Sequence, residues 1–253
     1  MMKNAGLVSV TFRGLTPEQI VPLMKKTDLR AVEWGADVHC MPGKTERVKE
    51  IRTLCEENGI RVTAYGSYYR VGTHEENAPC FEDIVTTAAV LGAPVIRVWA
   101  YNKGSADVSA DEYAAVVADM KRICALAAKE NITVTLECHN RTLTDEYHAA
   151  LKLLCDADCP NLAMYWQPNQ FRTVEYNKEA AEALKDYVTN VHVFNWREND
   201  KMPLGEAVTL WKEYKAILDG GKRAHDYLLE FMPNGTPEEL DAEAAALMKI
   251  LEN

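Results

Sequence analysis

Short apolar runs rich in β-branched residues recur along the chain, separated by longer stretches whose apolar positions repeat at helical spacing. Compact apolar runs bounded by polar punctuation are the mark of buried strands, and the 3.6-residue rhythm marks helices that bury one face. On that basis Gly6–Phe12, Ala31–Trp34, Arg61–Tyr65, Val95–Trp99, Ile132–Cys138, Leu162–Trp166, Asn190–Phe194 and Tyr227–Phe231 are predicted as strands. Three of the intervening helices open on a capping box: Thr16-Pro17-Glu18-Gln19, Ser109-Ala110-Asp111-Glu112 and Thr236-Pro237-Glu238-Glu239. In that motif two side chains satisfy free amides reciprocally, and proline suits the first helical position.

Strand followed by helix, eight times over, has the period of a βαβ unit of roughly thirty residues. A chain of 253 residues matches the length at which eight such units close on themselves. An open doubly wound sheet would offer a glycine-rich phosphate turn after an early strand, and no GxGxxG or Walker sequence is present. No linker or low-complexity run divides the chain. The prediction is a (β/α)8 TIM barrel, one domain over residues 1–253.

Composition narrows the partners. Asp and Glu outnumber Lys and Arg 38 to 28, which argues against a nucleic-acid backbone, whose binding rests on clustered cations. No signal-peptide core and no apolar run of membrane-spanning length occurs, so no membrane partner and a cytoplasmic location are expected. The seven cysteines form no CxxC pair, and reduced thiols are expected. Subunit number stays open, a homo-oligomer included.

Chemistry enters with ITVTLECH, Ile132 to His139, a strand pattern that ends in a carboxylate and an imidazole. Burying a charge without a partner is costly. In (β/α)8 barrels active sites gather at the carboxyl ends of the strands, and the polar residues cluster there: Arg13, Glu33, Tyr65 and Ser67, Arg97 and Trp99, Glu137 and His139, Gln167, His192 and Glu230. The strand starts are expected to carry nothing comparable. Glu137, His192 and Glu230 form the strongest subset, each embedded in an apolar strand. Two converging carboxylates repel unless a cation joins them, and a neutral imidazole beside carboxylates suits a divalent metal. The plainer alternative is a structural role for each, such as a Glu paired with Arg97. Gln167 would add a neutral oxygen. His139, on the same face by strand alternation, would be a ligand or a substrate contact. Arg13, Arg70, Arg97 and Arg197 are candidates for holding a phosphate or sugar hydroxyls. Trp34, Trp99, Trp166 and Trp196 offer aromatic faces to a partly apolar ligand. A Schiff-base lysine within a strand and a GxSxG elbow are both missing. A glycosidase carboxylate pair would leave His192 unexplained.

The segments VTFRGL, AVEWGADVH, YGSYYRVG, LGAPVIRVWA, LECHNRTLTD, WQPN, VHVFNW and LLEFM together resemble the sugar phosphate isomerase/epimerase superfamily, the xylose isomerase-like barrels. The resemblance implies one divalent ion (Mn, Mg, Co or Zn) on Glu137, Gln167, His192 and Glu230, with Gln167 where relatives carry Asp. Glu137 and Glu230 would move protons on a sugar or sugar phosphate through a metal-stabilised enediolate, giving an isomerase or epimerase. Arg97, Trp99, His139, Arg197, Glu33 and His39 would contact substrate. The neutral Gln167 weakens the hold on a hard cation, and it keeps two alternatives open: a dehydratase on the same site, or a non-catalytic sugar binder. A multi-zinc endonuclease of the same superfamily would need more His than the six present.

Overall fold

The computed structural model describes residues 4–73 and 78–252. Its barrel strands are β1 (Ala5–Val8), β2 (Ala31–Gly35), β3 (Arg61–Val71), β4 (Val95–Ala100), β5 (Thr133–Leu136), β6 (Leu162–Trp166), β7 (Val188–Val193) and, last in the chain, β10 (Asp226–Leu229). They close in the order β1-β10-β7-β6-β5-β4-β3-β2, every neighbour parallel. Outside them pack α1 (Pro17–Lys26), α2 (Thr45–Glu57), α3 (Phe81–Leu91), α4 (Ala110–Ala128), α5 (Tyr147–Ala157), α6 (Val174–Leu184), α7 (Val208–Leu218) and α8 (Leu240–Leu251). A two-residue antiparallel ribbon, β8 (Trp196–Arg197) with β9 (Asp200–Lys201), follows β7 at the mouth. This is the (β/α)8 barrel that the strand rhythm predicts. No helix among the described residues is long and apolar enough to cross a membrane.

All three capping boxes form. At Ser109 the hydroxyl accepts from Glu112 N at 3.3 Å while Glu112 accepts from Ser109 N at 2.9 Å. The box at Thr236 opens a short 3-10 turn that leads into α8.

Four strands end earlier than their apolar patterns suggest, β7 at Val193 and β10 at Leu229 among them. After Val8 the chain tightens into a 3-10 turn over Ser9–Phe12. After Leu136 the regular strand ends: Glu137 N still donates to the Val98 carbonyl at 3.2 Å, while its own carbonyl accepts from Thr144 Oγ1 at 2.6 Å in the following loop. Glu137 and His139 therefore stand on a loop, where strand alternation does not govern His139.

In-register neighbours of a sheet share a face, so the pairings Val8 with Glu33, Leu228 with His192 and Gly66 with Arg97 place all six inside the barrel. Val8 and Leu228 at this level join Ala31, Ala64 and Val95 below it in a small apolar cluster. The larger core fills the layer between strands and helices. The expectation that strand starts carry nothing polar is corrected here. Arg61 donates two bonds to Asp226 at 2.8 and 2.7 Å, Thr63 also donates to Asp226, and Asn190 donates to Thr63 at 3.2 Å. These residues lie at or near the amino ends of β3, β7 and β10, and their pairing satisfies polar groups in the barrel floor.

Candidate active site

His192 is fully buried in β7, and its two ring nitrogens face opposite surroundings. Nδ1 looks toward three oxygens: Gln167 Oε1 at 2.9 Å, Glu230 Oε2 at 3.4 Å and Glu137 Oε1 at 3.5 Å. Nε2 looks the other way, to Glu33 Oε2 at 3.2 Å. Gln167 is itself oriented by its amide, which donates to the Cys138 carbonyl at 3.0 Å.

Glu137 is divided between two tasks. Its Oε2 accepts from Arg97 and from Trp99 Nε1, the latter at 2.5 Å, while its Oε1 faces His192. The plain alternative, a Glu paired with Arg97, thus holds together with the metal reading, because each uses a different oxygen. Arg97 also donates from Nε to Glu33 Oε1 at 2.8 Å, and Tyr165 donates to Glu33 Oε2 at 2.7 Å. Gly66 makes the Glu33–Arg97 pair fit: a Cβ there would lie 2.6 Å from Glu33 Oε1 and 2.7 Å from Arg97 Nη2.

Charge follows geometry. Burial would raise Glu33, but Arg97 and then His192 outweigh it and hold the carboxylate at about 2. Burial is likewise overridden at Glu137, which Arg97 and His192 hold far below the usual carboxylate range. Glu230 is raised, first by burial, with the charge of His192 opposing and that of Glu137 adding. Burial would lower His192, yet Glu230, Glu33 and the bond to Glu137 push it up to about 10. The positive charges set against these carboxylates are thus the Arg97 guanidinium first and the His192 ring second.

Donor atoms of Glu137, His192 and Glu230 all lie within 4.8 Å of one another. Ligands bonded to one ion at ~2.0–2.2 Å stand about 3 to 3.5 Å apart, and the 3.4 and 3.5 Å separations around His192 Nδ1 match. The donor set of carboxylate oxygens, imidazole and an amide oxygen suits a divalent cation. Glu137, Gln167 and Glu230 line a cavity of about 250 Å³ at the carboxyl ends of the strands, with His192 immediately behind them.

Arg97, Trp99 and His139 also line that cavity, as do Arg13, Trp166 and Trp196. The His139 ring sits 4.8 Å from that of Trp99. Three residues expected to touch substrate do not reach the cavity wall. Glu33 is fully buried beneath it, enclosed by Arg97, Tyr165 and His192. His39 is held by Ser9 Oγ and the Leu15 carbonyl, both at 3.0 Å, and packs on Trp34. Arg197 stands outside on the β8 ribbon, paired with Glu206 at 2.8 Å. Arg70 lies over Trp99 and donates to the Tyr101 carbonyl, and Trp34 belongs to the core.

Sequence reasoning passed over Tyr165, whose only signal is a phenol within an apolar strand that must find a partner when buried. It also passed over Tyr68 and Phe231, which line the cavity in left-handed backbone at φ 57° and 61°. Strain of that kind gathers at functional sites.

The family model for the xylose isomerase-like TIM barrel matches residues 21–251. The chain belongs to that family. Among proteins similar to this xylose isomerase-like barrel is a 3-dehydroshikimate dehydratase of Bacillus anthracis, 46% identical over 164 residues. The match covers 62% of this chain and 59% of that protein, so it spans under two thirds of the relative's length. A solved structure described as the probable 3-DHS dehydratase of petrobactin synthesis from Bacillus anthracis superposes with a TM-score of 0.74 at 20% identity, over 98% of this chain and 99% of the other. The 3-keto-D-glucoside 4-epimerase of E. coli gives a TM-score of 0.74 at 16% identity, over 98% of each chain. At such identities the structural likeness concerns the fold.

Proposed function

We propose that this xylose isomerase-like barrel is a metal-dependent enzyme that removes the proton beside a carbonyl of a small hydroxylated substrate, ending in loss of water. The observation that carries the reading is the convergence of Glu137, His192 and Glu230 at the floor of the strand-end cavity. Glu137, Gln167, His192 and Glu230 would hold the ion, which would polarise the carbonyl and stabilise the negative charge that develops on its oxygen.

Glu230 is the group suited to take the proton. Among the described residues its carboxylate pairs with one cationic side chain, His192 at 3.4 Å, and it borders the cavity. Glu137 is poorly placed as a proton donor on the opposite face, because Arg97 and Trp99 both occupy its Oε2. Epimerisation needs such a donor, whereas elimination needs only that a hydroxyl on the next carbon depart with a proton as water. His139, on the cavity wall with Nδ1 against the Asn140 carbonyl at 2.9 Å, would supply that proton. The B. anthracis dehydratase relative supports the same outcome.

The cavity also favours a substrate without phosphate. Glu137, Asp145, Glu146 and Glu230 line it, against Arg13 and Arg97. Both arginines are already paired, Arg13 with Asp37 and Arg97 with Glu33 and Glu137.

Epimerisation or isomerisation of a ketose is the second reading, favoured by the fact that both Glu137 and Glu230 reach the cavity. One comparison separates the two. Protein loaded in turn with Mn, Mg, Co or Zn is given 3-dehydroshikimate, with ultraviolet detection of an aromatic dihydroxybenzoate product, and then a panel of free and phosphorylated ketoses. Dehydration that disappears in Glu230→Ala is the expected result. Turnover of ketoses alone would transfer the assignment to the epimerase reading, and no turnover by metal-loaded protein would sink both.

A further inference from the structure

We infer that Glu33 is a positioning residue: fixed from behind by Tyr165 and Arg97, it holds His192 in the one tautomer that can bind a metal at the cavity floor. The inference rests on the metal reading above and goes beyond it, because Glu33 touches neither the cavity nor the converging donor atoms.

A neutral imidazole carries one proton on two nitrogens, and the hydrogen bond at one decides which is free to ligate. In this barrel, Nε2 of His192 meets a buried carboxylate oxygen of Glu33 at 3.2 Å. An acceptor there keeps the proton on Nε2. The lone pair is then left on Nδ1, where the Glu137, Glu230 and Gln167 oxygens converge.

Glu33 is itself immobilised. Its two oxygens receive Arg97 Nε at 2.8 Å and Tyr165 OH at 2.7 Å, it has no exposed surface, and the pair sits in the space left by the missing Cβ of Gly66. The same guanidinium continues to Glu137 Oε2. One arginine thereby ties the partner of the histidine to the second carboxylate, so that Nδ1 of His192 and Oε1 of Glu137 are aimed together. A strand side chain with a purely structural role would need no such alignment with two members of the donor set.

The test measures zinc binding and ring protonation. Zn(II) affinity is determined by chelator competition for wild type, Glu33→Ala, Glu33→Gln and Tyr165→Phe. Each zinc-loaded protein, labelled with ¹⁵N-histidine, is then examined by NMR, the His192 signals being assigned by their loss in His192→Gln. In wild type the proton is expected on Nε2 and the metal-induced shift on Nδ1. Glu33→Ala is expected to bind zinc about 10- to 100-fold more weakly, the usual consequence of losing a partner of a ligating histidine. Glu33→Gln, whose amide oxygen still accepts, should recover part of that loss. Tyr165→Phe, which leaves the carboxylate in place, should show a smaller loss and keeps the test decisive if Glu33→Ala does not fold. Unchanged zinc affinity and ring tautomer in Glu33→Ala, or, if that variant does not fold, wild-type affinity in both Glu33→Gln and Tyr165→Phe, would overturn the inference while leaving the metal reading intact. Wild-type protein that binds none of Zn, Mn, Mg and Co would overturn the metal reading, and this inference with it.

Discussion

At the scale of single residues, His192 is asked to do two incompatible things. Metal-free, it is a cation, pushed up to about 10 by Glu230 and Glu33 against the cost of burial. As a ligand it must be neutral, so the metal and a proton compete for the ring. The signs then differ between the two states. A raised folded pKa gives the metal-free protein stability that is full below the ordinary value near 6.5 and is lost as pH rises toward about 10. Metal affinity runs oppositely, strengthening as pH rises through that window. Thermal unfolding with and without zinc from pH 6 to 9 should therefore show a gap that widens with pH. A gap that stays constant would mean that His192 does not release a proton on binding.

At the scale of elements, the site depends on how two neighbouring strands approach. β2 and β3 slip register between Val32 and Glu33, and β3 presents Gly66 opposite Arg97 of β4. The bare backbone at Gly66 is what lets Glu33 and Arg97 meet, since a methyl group would press on both. Gly66→Ala should cost about 1–3 kcal/mol through overpacking and weaken zinc binding as well. Urea unfolding beside a chelator titration checks this, and an unaffected zinc affinity would show that the pair does not depend on that gap. Elsewhere the elements obey local rules. The capping boxes at Thr16, Ser109 and Thr236 form where they are written in the chain, because each needs only four consecutive residues.

At the scale of the whole molecule, the barrel separates two polar layers with apolar packing between them. The upper one, around His192, converges on a cavity. The lower one, Arg61 with Asp226, Thr63 and Asn190, closes the floor. This division matches the rule that chemistry gathers at the carboxyl ends of barrel strands and stability at the amino ends. Asp226→Ala should lower unfolding stability by roughly 1–3 kcal/mol, the cost of leaving buried polar partners unmet, while zinc affinity stays at the wild-type value. Loss of zinc binding in that variant would show that the two layers are coupled.

Much of this protein can be read without a structure, for a definite reason. Strand alternation, helix caps and the length of a βαβ unit are local quantities, and they lead to eight units and a closed barrel. Glu137, His192 and Glu230 stood out because a charged or titratable group within an apolar strand violates a local rule, and such violations gather at sites. What local pattern cannot tell is what lies behind what. Glu33 resembled a pocket residue in sequence, yet the barrel puts it beneath His192, out of reach of the cavity. His39, from the same segment as Glu33, is turned to Ser9, and Arg197, just past VHVFNW, is turned to Glu206. Tyr165 and Asp226 acquire their roles from partners 132 and 165 residues away, Glu33 and Arg61. The chain's own pattern determined which groups would gather at the mouth of the barrel. Only closure of the sheet, which sets register between strands distant in sequence, decided which of them face the cavity and which hold the others in place.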